Sequence, residues 1–147
     1  MLFKTHLAFS FFILVLFWPL LPVDEAKAAF AIIWVLASLI PDIDSTKSIL
    51  GRFFKPVGWV LRHRFWLHSV FSAVILSVLI AFIDVRMAYA VFLGYVSHLF
   101  LDMFNHQGIA IFYPFSKFRI RGPLKTGKTG ERVVFIASVA GIILTSL

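Results

Sequence analysis

Five apolar runs decide what this chain can fold into: Leu7–Leu21, Ala28–Ile40, Phe65–Ile83, Met87–Phe104 and Val133–Leu147. A helix crossing a bilayer needs about 20 residues. The third and fourth runs reach that length unaided, and the first, second and fifth would draw on flanking residues. The 147 residues are 61% hydrophobic and 14% charged, too little charge to cover the surface of a water-soluble domain. The expectation is an all-α fold, a multi-pass transmembrane helical bundle of four to five spans forming one integral membrane domain over residues 1–147. The absence of cysteine excludes disulfides and thiolate ligands.

The net charge of +7 has two readings, nucleic acid or retention of basic residues on the cytoplasmic face. Position decides between them. With a cytoplasmic N-terminus, 12 of the 14 Lys and Arg fall on the cytoplasmic side, and only Lys27 and Arg86 fall outside. That bias predicts an inner-membrane protein with its N-terminus inside, and it requires no nucleic acid. Residues 45–62 mix Phe53, Phe54 and Trp59 with Arg52 and Lys55, as expected of an amphipathic segment in the headgroup layer. Residues 113–132 read as a basic cytoplasmic loop facing anionic lipid. Lys4, the first apolar run and "AKAAF" at 26–30 resemble a signal peptide. His6 argues for retention, because it lies on the same membrane face as the other polar residues.

Those residues collect at one end of the predicted bundle. His6 opens the first span, Asp42 and Asp44 in "PDIDS" close the second, His63 and His68 in "HRFWLHS" flank the start of the third, and His98 and Asp102 close the fourth. His98, Asp102 and Asn105 share one helical stripe. Arg64 and His68, four apart, share another. Pro41 makes "PDID" an exit turn or extended piece. A carboxylate near hydrocarbon and near a helix C-terminus is doubly unfavourable, and a bound cation reverses both effects. Imidazoles with carboxylates and no thiolate suit a divalent metal, Zn²⁺ first and Mn²⁺ or Fe²⁺ next. Seven candidates (His6, Asp42, Asp44, His63, His68, His98, Asp102) leave one or two ions per chain open. Ser69, Ser72 and Ser97 read as supporting or packing residues.

"GPLKTGKT", residues 122–129, matches the phosphate-binding loop pattern. That loop needs a preceding parallel strand in an α/β domain, for which the chain has no room, so no nucleotide is expected. The stretch reads instead as a flexible cationic loop.

"THLAF", "PDIDS", "HRFWLHS", "GYVSHLFLD" and "PFS", with Asn105 and Gly108, resemble the LexA-binding, inner-membrane-associated metal-dependent hydrolase family over residues 4–116. The resemblance implies a multi-pass helical membrane protein that binds metal for hydrolysis through His6, Asp42, Asp44, His63, Arg64, His68, His98 and Asp102. Phe65 and Leu67 stand where the family often has Gly and Thr in HRGxTHS.

These readings lead to a metal-dependent hydrolase with a metal-activated water at the cytoplasmic membrane interface, acting on a lipid-like or phosphoester-type substrate. Asp44 would serve as base or bridging ligand, and Arg64 would hold an oxyanion or phosphate. The alternatives are a divalent-metal transporter and a metal-binding structural or regulatory membrane protein. Oligomeric state is not legible.

Overall fold

The computed structural model describes residues 1–21, 27–44, 66–145 and 147. Among them the chain forms five α-helices and no strand: α1 (Phe3–Phe17), α2 (Lys27–Ala37), α3 (Val70–Ala81), α4 (Val85–Met103) and α5 (Thr129–Thr145). A 3₁₀ turn, Trp18–Leu20, extends α1, and a second, Ile40–Asp44, follows α2. The all-α class agrees with the sequence. The number of spans does not follow from the helices alone. One helical stretch, Phe3–Leu20, is long and apolar enough to cross a membrane by itself.

The third apolar run shows why. It was expected to supply a full-length span, yet α3 holds 12 residues, about 18 Å against a hydrocarbon core of about 30 Å. Its start is set by Ser69, whose hydroxyl accepts from the Phe71 amide at 3.1 Å, so His68 lies in a turn ahead of the helix. His68 is therefore not helical, and Arg64, expected to share its helical face, lies outside the described residues. Asp84 caps α4 in the same way, accepting from the Met87 amide at 3.0 Å. The α3–α4 hairpin thus carries a polar acceptor at each helix start. The "PDID" stretch is a 3₁₀ turn, not an extended piece. The proposed interfacial segment at 45–62 lies outside the described residues.

Helix α4 is the central element. It packs against α1, α2 and α3, while α5 lies against α1. Two apolar clusters hold it: Leu14, Phe30, Trp34 and Ala90 toward one end, and Ala73, Tyr95, Leu99 and Ile109 toward the other. The α2–α4 approach depends on Gly94, where a Cβ would stand 2.1 Å from the Trp34 carbonyl oxygen. Small residues at such crossings let apolar helices gain dispersion contacts.

Polar and apolar residues are distributed opposite to those of a soluble protein. Thr5, His6, Ser10, Ser38, His68, His98, Asp102 and Glu131 are buried, whereas Ile32, Leu36, Ile75, Leu79, Ile136 and Ile143 are exposed. An apolar exterior over an interior that holds polar groups among its apolar clusters is what hydrocarbon solvent selects.

The expected loop at 113–132 is shorter and more ordered than the sequence suggested. Helix α5 begins at Thr129, ahead of its apolar run. Residues 104–124 fold back on themselves, with Ile109 and Ile120 exchanging backbone hydrogen bonds and the Leu124 amide donating to the Phe104 carbonyl at 2.9 Å. Asn105 was expected on the ligand stripe, but α4 ends at Met103. Its amide nitrogen donates to Thr126 Oγ1 at 3.1 Å, and its Oδ1 accepts from the Gln107 amide at 3.0 Å. Asn105 therefore pins the loop to α4 and does not face the histidines.

Gly94→Ala is expected to lower the unfolding free energy by about 1–3 kcal/mol, the usual range for overpacking, measured by thermal unfolding in detergent. Gly127→Ala, with no atom near its missing Cβ, tests only backbone conformation. An Ala at 94 without effect would contradict the tight α2–α4 crossing.

Candidate metal centre

The centre is built on Asp102, which is 1% exposed on the last turn of α4. Its Oδ1 lies 3.4 Å from His6 Nε2 on the first turn of α1. Its Oδ2 lies 3.4 Å from His68 Nε2 in the turn before α3 and 3.9 Å from His98 Nε2, one helical turn earlier on α4. Asp42, from the 3₁₀ turn after α2, completes the group. Its Oδ1 is 3.9 Å from His98 Nε2 and 4.0 Å from His68 Nε2. The Met1 amino group stands 3.3 Å from Asp102 Oδ1.

Five donors thus arrive from four chain segments, on the ends of elements that converge at one end of the bundle. Two overlapping triplets, His6–His98–Asp102 and Asp42–His68–His98, each place one ligand atom per residue within 4.8 Å of the others. Bonds of about 2.1 Å in a tetrahedral zinc shell put neighbouring donors about 3.4 Å apart, so the measured spacings are those of a slightly expanded coordination shell. The donor chemistry also fits. His6 Nδ1 is buried without a hydrogen-bond partner among the described residues, and His6 Nε2 and His98 Nε2 are buried without a well-aligned one. An imidazole nitrogen left in that state is costly unless something accepts its lone pair.

The tautomer of His98 follows from its other nitrogen. Nδ1 lies 2.7 Å from the Ser38 carbonyl oxygen, which can only accept, so Nδ1 carries the proton and Nε2 presents its lone pair to the centre. The His6 and His98 rings stack in parallel, 3.8 Å between centroids with 9° between planes. Asp42 is 16% exposed, while His6, His68, His98 and Asp102 are sealed. Among the described members of the group, Asp42 is the one open to the outside.

Of the residues expected at this site, His6, Asp42, His68, His98 and Asp102 are brought together. Asp44 lies at the end of the same 3₁₀ turn as Asp42. His63 and Arg64 lie outside the described residues. Sequence reading missed Glu131, which it left among the charges of the last loop. Glu131 is 1% exposed, and its carboxylate accepts from the amides of Leu2 and Gly127. Burial pushes this carboxyl up, but those two amides and the Thr5 hydroxyl outweigh it and hold it below the usual glutamate range. The contribution of such a group to stability is complete at neutral pH and is lost as pH falls through its lowered value. The loop that matches a phosphate-binding pattern therefore directs its Gly127 amide at the chain's own carboxylate. By tying α5 to Leu2, Glu131 fixes the start of α1 and with it His6. The available signal was an acid one turn into a helix and next to glycine, too common a pattern to single out.

The chain matches the YdjM inner membrane protein family over residues 1–146. It belongs to that family. It is 36% identical to YvsG of Bacillus subtilis over 119 residues, covering 76% of this chain and 71% of YvsG. It is 29% identical to the inner membrane protein YdjM of Escherichia coli over 110 residues, 67% of this chain and 56% of that protein. A Methanothermobacter thermautotrophicus protein, ORF4', is 30% identical over 105 residues, 71% of this chain and 44% of that protein. The chain thus spans about half the length of the latter two relatives. No solved structure matches. The family description places these chains in the inner membrane and names neither an activity nor a partner.

Glu131→Gln keeps the shape and removes the charge that both amides address. It is expected to cost about 1.5–3 kcal/mol of stability, the range for hydrogen bonds to a charged group, and to weaken zinc binding, read by titration with a competing chelator. Unchanged zinc affinity would show that the clamp does not position His6.

Proposed function

We propose that this protein is a multi-pass, metal-dependent hydrolase of the inner membrane, with its active centre at the cytoplasmic interface and an amphiphilic or phosphoester-type substrate. The observation that carries this reading is the convergence of His6, Asp42, His68, His98 and Asp102 at ligand spacing around buried imidazole nitrogens. Both triplets share His98, whose Nδ1 is taken by Ser38. A single Nε2 serves one ion, so the described donors support one metal, with zinc the best match to a nitrogen and oxygen set. A divalent ion bound there would supply Lewis-acid polarisation and an acidified water.

The protein side of the chemistry lies in placement. Asp102 supplies negative charge beside three imidazoles, Ser38 holds His98 in one tautomer, and the His6–His98 stack fixes two donors as a unit. Asp42, the partly open member, borders the path by which substrate and water arrive. Asp44 is assigned as the base that takes a proton from the attacking water, and Arg64 as the cation that receives anionic substrate oxygens. The basic residues at the same end suit an anionic headgroup.

The reading is tested on purified protein by metal content together with a screen of phosphoester and lipid substrates. Asp102→Asn and His98→Ala are expected to lose bound zinc and hydrolysis while keeping expression and helicity, and Ile75→Leu, on the exposed face of α3 away from the centre, to keep all of them. If Asp102 served only as a hydrogen-bonding link between helices, its amide would cost about 1 kcal/mol or less and zinc content would not change. Zinc flux into proteoliposomes without hydrolysis would assign the same ligands to a carrier.

Topology is tested separately, because the chain has no cysteine. Lys125→Cys is expected to resist a membrane-impermeant thiol reagent in intact cells, and Arg86→Cys to react. The reverse pattern would place the centre on the outer face.

A further inference from the structure

Beside the metal centre, α1, α2 and α4 enclose an apolar groove of about 470 Å³ whose walls include Phe9, Ile13, Trp34, Leu93, Val96 and Phe100. We propose that this groove holds a single long hydrocarbon chain of the substrate, whose anionic, oxygen-bearing head reaches the His/Asp centre. The inference rests on the hydrolase reading above and deepens it by naming the class of molecule.

The first argument is register. Phe100 lies between His98 and Asp102 along α4, and Phe9 lies three residues, about 4.5 Å of rise, past His6 along α1. The top of the groove is therefore level with the centre. From there it follows α1 to Leu20, about 16 Å further on, roughly half of the ~30 Å hydrocarbon core. Its depth is that of one leaflet.

The second argument is chemistry. Ser97 is the one polar residue in the lining, and its hydroxyl is already engaged with Ser10 Oγ at 3.0 Å and the Gly94 carbonyl at 2.7 Å. The Trp34 indole N–H donates to Ser10 Oγ at 3.1 Å, which leaves its ring for apolar contact. Nothing in the groove recognises a polar head, and the polar atoms that could do so belong to the His/Asp centre, level with Phe9 and Phe100. The volume falls within the roughly 300–1,000 Å³ usual for small-molecule sites. Solvation by bulk lipid does not call for such a recess, because the outer faces already present Ile75, Leu79, Ile136 and Ile143 to it.

The test uses the full chain in lipid nanodiscs, with phosphatidic acid carrying a diazirine in one acyl chain as the probe. Crosslinks are mapped by mass spectrometry, with zinc bound and after chelation. Labelling at Ile13 and Leu93 is expected to exceed that at Ile75 and Leu79 about 5-fold, and to fall by a similar factor when zinc is removed, a difference of about 1 kcal/mol in binding. Leu93→Trp is expected to abolish the excess while zinc content stays at the wild-type level. Should that variant fail to fold, Val96→Phe makes the same test with a smaller change. Equal labelling of groove and outer face, or groove labelling indifferent to zinc, would assign the groove to bulk lipid and overturn the inference while leaving the zinc centre intact. A protein without zinc would overturn both.

Discussion

A carboxylate sealed from water at the end of an apolar helix is the constraint around which the rest is arranged. Asp102 cannot be ionised in that position without compensation, because burying an unpaired charge costs several kcal/mol. Its neighbours are His6 of α1 and His68 of the turn before α3, each at 3.4 Å, His98 of α4 itself, and the Met1 amino group at 3.3 Å. Each of these segments ends or begins where it does so that a nitrogen can reach the same oxygen pair. Ser69 stops α3 from extending back through His68, and the 3₁₀ turn after α2 brings Asp42 within 4.0 Å of the same Nε2 atoms of His68 and His98 that face Asp102.

His6 Nε2 and His98 Nε2 are buried beside the Asp102 carboxylate without a well-aligned hydrogen bond, an arrangement that a divalent cation between them would satisfy. The supporting contacts are of a different kind. Ser38 orients His98, the amides around Glu131 anchor the start of α1, and Asn105 holds the return loop against the end of α4. None of these groups faces the centre. Each reduces the freedom of a residue that does.

Residues that act through a helical repeat were legible from the sequence. His98 and Asp102 are four apart, and that spacing alone puts them on one face. The convergence of His6, Asp42 and His68 followed from the bias of Lys and Arg to one side, since charge sets which loops share a face. What the sequence did not disclose depends on where helices stop. Asn105 looked like the next member of the stripe until the end of α4 at Met103 turned it toward Thr126. His68 looked helical until Ser69 capped α3. Glu131 meets the backbone amide of distant Leu2, and Ser38 meets the distant His98 ring through its own carbonyl; no local pattern encodes such meetings. The pairing of Ile109 with Ile120 is equally non-local, so a loop with backbone order read as a flexible one.

The central claim is a zinc ion held by nitrogen and oxygen donors from His6, Asp42, His68, His98 and Asp102. X-ray absorption at the zinc edge of the purified protein, with metal content measured on the same sample, addresses it most directly. The proposal predicts about one zinc per chain, with four or five nitrogen and oxygen neighbours at about 2.0–2.2 Å, no sulfur, and outer-shell scattering from imidazole rings. Zinc far below one per chain after metal supplementation, or bound zinc without imidazole scattering, would contradict the centre.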